Sequence, residues 1–109
     1  MTYELILILV TVSSESEGKR ISDALLSCRL AACVSIVPKV TSSYWWENSI
    51  QRSDETLLIA KSRAALLDEV VKCVKEHHAY TVPEIIAMGI AGGNEEYLEW
   101  VGKETQDNP

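Results

Sequence analysis

The sequence has no phenylalanine, only two histidines, three prolines and three cysteines in 109 residues. The cysteines, Cys28, Cys33 and Cys73, are odd in number and none stands in C-x-x-C spacing, which excludes a complete disulfide framework and a zinc knuckle. Three reduced thiols packed as small hydrophobes are expected instead. Positive charge is scarce too: ten Lys and Arg against sixteen Asp and Glu give a net charge of −6, with no basic run. That balance excludes the electrostatic footprint of a nucleic-acid binder or of a protein held to an anionic membrane. No long hydrophobic run exists. Leu5–Val10 is apolar throughout but far below the ~20 residues that cross a bilayer, and Glu4 stands where a signal peptide would carry basic residues. A buried strand in a cytoplasmic protein is expected. G-x-S-x-G, P-loop, G-x-G-x-x-G and H-E-x-x-H patterns are all missing, so no enzyme is expected.

What is present is a globular composition, 47% hydrophobic and 24% charged, on a chain long enough for one domain, 1–109, with a polar tail from about Glu104. Tyr3–Val12 reads as a strand. Ser14-Glu15-Ser16-Glu17 fits a capping box, and Ile21, Ala24, Leu25 and Cys28 mark the apolar face of the helix it opens. Ala31–Val37 is a second strand, with Pro38 at a bend or bulge, and Val40–Trp46 continues extended. Glu47-Asn48-Ser49 reads as a hairpin turn and Ile50–Lys61 as the third strand. Ser62 is placed as the N-cap of a second helix carrying Leu67, Val70, Val71 and Val74. Glu84–Ile90 makes a fourth strand, and Asn94 caps a last short helix. The order β-α-β-β-α-β plus a terminal helix predicts an α+β, ferredoxin-like sandwich: an antiparallel sheet with both long helices on one face.

Two features do not suit a monomer. Leu5, Leu7 and Leu9 face one side of the first strand while Ile6, Ile8 and Val10 face the other, and the helices can cover only one of these. The hairpin arms also exceed the usual strand of ~5–6 residues and end in Tyr44, Trp45 and Trp46, ring types favoured at subunit contacts. These three residues are the expected oligomer interface, set against the plain alternative that their rings fold back over the terminal helix.

Leu30-Ala31-Ala32-Cys33, Tyr44-x-Trp46-Glu47, Leu58-Ile59-x-Lys61, His77-His78-x-Tyr80-x-x-Pro83-Glu84-Ile85 and Tyr97-Leu98-x-Trp100 follow one another in that order. In order and spacing the chain resembles the CutA family, the divalent-cation-tolerance proteins, from about Ile6 to Val101. The resemblance implies a homotrimer of ferredoxin-like protomers, sheets packed inward and hairpins reaching neighbours, with an architecture like that of PII signalling proteins. It also implies tolerance of copper and other divalent metals. The family's copper site pairs a first-strand cysteine with two histidines; His77 and His78 match, and Val10 stands at the cysteine position.

Imidazole suits copper, zinc and nickel, so His77 and His78 are the candidate metal ligands, Cu²⁺ being the implied ion. Two nitrogens fall short of a tight site, and a histidine favouring the dipole at a helix C-terminus is the plain alternative. Glu47, Lys61, Tyr80 and Glu84 are candidates for a ligand cleft between subunits, set against a structural ion pair of Lys61 with Glu84. Three functions are therefore expected in order: a metal-binding tolerance protein, a PII-like trimer sensing a small anionic metabolite, and a structural scaffold trimer.

Overall fold

A computed structural model describes residues 3–107. Its elements are β1 (Leu5–Val12), α1 (Glu15–Ser27), β2 (Cys33–Trp46), β3 (Ser49–Arg63), a 3₁₀ turn (Ala64–Leu66), α2 (Leu67–His77), β4 (Ile85–Gly89) and α3 (Glu95–Glu104). The sheet runs β2-β3-β1-β4, with every neighbouring pair antiparallel. This is the ferredoxin-like order expected from the sequence.

Local chemistry sets the element ends. The Ser14 hydroxyl accepts the Glu17 N–H at 3.2 Å, which is half of a capping box. The other half is shifted by one residue: the Glu17 carboxylate accepts from Ser13, through N–H at 2.7 Å and Oγ at 2.6 Å. At the far end of α1, Leu30 N–H returns to the Leu25 carbonyl and Arg29 N–H to Leu26, a Schellman closure. Arg29 occupies the left-handed position, φ 54°, that usually goes to glycine. Asn94 caps α3 through the Glu96 N–H.

Ser62 is not a helix cap. It lies within β3, fully buried, and donates to the Leu30 carbonyl at 2.6 Å. The chain instead enters α2 through the 3₁₀ turn, with no side-chain cap. The hairpin turn is also shorter than expected, because Ser49 already pairs with Trp46. Glu47 and Asn48, φ 50° and 63°, form a two-residue turn with both central residues left-handed.

Ile6, Ile8, Val10 and Val12 point to the helix side and pack with Leu58, Ala60, Ile21, Leu25, Val70 and Val74. On the other side Leu9 pairs with Ile59 and Ile86, and Leu7 with Met88. α3 covers only the Leu5 end of that face, through Leu98 and Val101. Ile86 and Met88 stay 49% and 45% exposed. Pro38 and Lys39 oppose the single residue Thr56 across the register shift from Val37 to Val40, a bulge that bends β2. Beyond it the hairpin extends the molecule to 46 Å along its longest axis, with Trp45 72% exposed at its tip. The polar stretch after α3 is docked: Arg63 donates to Thr105, Gln106 and Asp107, and Gln106 bonds the carbonyls of Cys28 and Arg29. The end of that stretch, Asn108 and Pro109, lies outside the described residues.

Candidate functional site

Where α2 ends, the chain crosses from the helix layer to the sheet edge, and this crossing builds a cleft. His77 closes α2 with Nδ1 2.9 Å from the Cys73 carbonyl oxygen. His78 is the first extended residue, and its side chain is fully enclosed. Its Nε2 lies 2.7 Å from the Thr11 carbonyl, so Nε2 carries the proton, while Nδ1 accepts the Tyr80 N–H at 3.0 Å. The same Nδ1 lies 3.6 Å from Glu17 Oε2. Tyr80 then tilts against the His78 ring, centroids 4.7 Å apart, and donates its hydroxyl to Glu55 Oε2 at 2.7 Å.

The resulting cleft holds about 670 Å³ and is lined by one side of the hairpin, including Ser42, Tyr44, Trp46 and Glu55, and by Thr11, Tyr80 and Glu84. Its size is that of a small-ligand site. Every charged side chain in the lining is an acid, Glu55 and Glu84. Burial, then the Glu55 hydrogen bond and the charges of Glu55 and Glu17, push the Tyr80 phenol well above its usual range. Tyr80 therefore stays a neutral donor.

Of the candidate cleft residues, Tyr80 and Glu84 are brought together, and Glu47 and Lys61 are not. Glu47 sits in the hairpin turn. Lys61 pairs with Leu7 toward the other end of the sheet, its Nζ 3.8 Å from Cys33 Sγ and over the Tyr97 ring at 5.9 Å. No Lys61–Glu84 pair forms within the chain, since Glu84 lies past the Val10–Ile85 end of β1 and β4. Tyr44 and Trp46 line the cleft, and Trp45 points away from it at the tip.

The chain does not by itself make a metal site at the histidines. Both nitrogens of His78 are engaged, and one of His77. Val10 is enclosed in the core. Among the described residues no three His, Cys, Asp or Glu side chains converge to hold an ion. Cys73 is buried, and burial followed by the nearby Cys28 and Glu76 raises its thiol pKa, leaving it protonated.

Two acids that matter here were not among the candidate site residues: no motif marks Glu55, and the capping box marks Glu17 only for its helix. Glu55, 8% exposed, is the Tyr80 acceptor. Glu17, 2% exposed, accepts from Ala79 N–H through Oε2 at 2.6 Å besides its Ser13 bonds. Burial opposes charge on Glu17, but the bonds from Ser13 and Ala79 outweigh it and hold the carboxyl below its usual range.

The family described as CutA1 divalent ion tolerance protein matches residues 6–104. Rice (Oryza sativa subsp. japonica) has a relative called Protein CutA 1, chloroplastic, 48% identical over 94% of this chain and 58% of its own length. The chain thus spans less than two thirds of that relative. The divalent-cation tolerance protein CutA of Thermus thermophilus is 45% identical over 90% of this chain and 95% of its own. The crystal structure of rice CutA1 superposes with a TM-score of 0.95 at 47% identity, covering 98% of both chains.

Proposed function

Because this chain belongs to the CutA1 divalent ion tolerance family, we propose that it acts in divalent-cation tolerance as a homotrimer, a binding protein rather than an enzyme. The cleft beside Tyr80 is where it takes up a positively charged ligand, in the first instance a hydrated divalent cation. One observation carries this reading: the charged groups lining the cleft are Glu55 and Glu84 alone. Carboxylate, hydroxyl and water oxygens suit hard divalent ions. A small anionic metabolite would meet repulsion there unless a neighbouring subunit supplied a cation, since Lys61 lies elsewhere.

Copper held by the histidines is the competing arrangement, and it needs His78 to break two hydrogen bonds. The trimer reading is supported by the uncovered apolar face at Ile86 and Met88 and by the ringed hairpin tip. The cytoplasm is the proposed compartment, where the thiols of Cys28, Cys33 and Cys73 stay reduced.

Calorimetric titration with Mn²⁺, Zn²⁺ and Cu²⁺ tests the site. Glu84→Gln is expected to weaken Mn²⁺ binding several-fold, and His77→Ala to leave it unchanged. Binding of none of the three ions, or binding lost only in His77→Ala, overturns the reading.

A further inference from the structure

The wall of the cleft from Ala79 to Glu84 has neither helix nor strand geometry. Outside helices and strands, no backbone–backbone hydrogen bond among the described residues involves it. Val82, in its middle, is 70% exposed, so apolar burial does not hold it either. What fixes the wall is side-chain bonding. His78 accepts from Tyr80 N–H and donates to the Thr11 carbonyl, and Tyr80 donates to Glu55. These ties run within the segment or onto the sheet. The tie from the helix layer is Glu17, whose Oε2 takes the Ala79 N–H.

We propose that Glu17 is a positioning residue for the cleft: without touching a ligand, it sets ligand affinity by clamping Ala79 and so fixing Tyr80 against Glu55. This inference rests on the cleft reading above. Its chemistry is specific to a carboxylate. Three donors surround the group, two from Ser13 on Oε1 and one from Ala79 on Oε2. A glutamine offers one acceptor oxygen, and its NH₂ must then face a donor. The Ser13 hydroxyl can turn to accept from that NH₂, but the Ser13 and Ala79 backbone N–H groups cannot, so whichever way the amide faces one of them is left opposite NH₂ and the bridge from Ser13 to Ala79 is broken. The lowered pKa of Glu17 agrees with a carboxylate charged at neutral pH.

The test compares Glu17→Gln with Ser13→Ala, using Mn²⁺ calorimetry and thermal unfolding on the full chain. Ser13→Ala weakens the helix cap and keeps the Ala79 tie, so it lowers the unfolding midpoint and leaves Mn²⁺ affinity within about twofold. Glu17→Gln weakens Mn²⁺ binding about tenfold or more. Equal Mn²⁺ affinity in Glu17→Gln and wild type overturns the inference alone; a wild type that binds no Mn²⁺ overturns the cleft reading and this inference with it. Amide exchange on wild type covers a Glu17→Gln protein that does not fold. Saturating Mn²⁺ is expected to slow exchange at Ala79 and Tyr80, and no change at either amide overturns the proposal.

Discussion

Tyr80 is where the enclosed chemistry meets the cleft. Its hydroxyl is a donor to Glu55, a carboxylate 8% exposed, and removing a donor from a buried acceptor costs about 1–3 kcal/mol. Tyr80→Phe should therefore lower unfolding free energy by that amount in urea titrations while keeping the fold. The same residue shapes the alkaline limb. The folded phenol pKa is raised, so its share of stability is whole below the free-tyrosine value of about 10 and declines above it, as the unfolded chain ionises first. Tyr80→Phe should flatten that decline. Tyr80 and Glu84 were legible from the Tyr-x-x-Pro-Glu pattern. Glu55 and Glu17 were not, because their partners lie 25 and 62 positions away in sequence. A capping motif explained Glu17 so well locally that its second oxygen had no visible use.

Among the elements, α3 depends on a close approach. A Cβ at Gly102 would overlap the Tyr3 ring, which itself lies beside the Arg63 guanidinium. Gly102→Ala should destabilise the protein by about 1–3 kcal/mol through overpacking, read as a lower midpoint in thermal unfolding. The α3 start was legible because Asn94 follows two glycines. Ser62 misled for an equally physical reason. A serine ahead of an Ala- and Leu-rich stretch suits a helix cap, but the same hydroxyl can close a buried strand end by bonding a carbonyl. Only the tertiary approach of Leu30 decides between them. The docking of Gln106 onto Cys28 and Arg29 was equally hidden, since nothing in a short polar stretch marks it as held.

At the scale of the molecule, the alternation of β1 fixes a sheet with two apolar sides; α1 and α2 cover one, and α3 covers only the Leu5 end of the other. Light scattering on the proposed trimer should show Ile86→Lys shifting the protein to smaller species, with helix content retained. A variant that stays fully assembled would count against that face as the contact. The sheet order has a further consequence, in time rather than space. β1 is central, yet its partners β3 and β4 both come later in the chain. During synthesis, at ~5–20 residues per second, Leu5–Val12 waits on the order of seconds for Thr56–Arg63 and longer for Ile85–Gly89. Its span is apolar but for Thr11, with no proline and no charge, the composition most prone to pairing with another copy of itself. The hairpin of β2 and β3 closes locally through a two-residue turn, so the nascent chain has a rigid edge ready when β1 needs one. The strand that ends up best protected is the one left longest in the open.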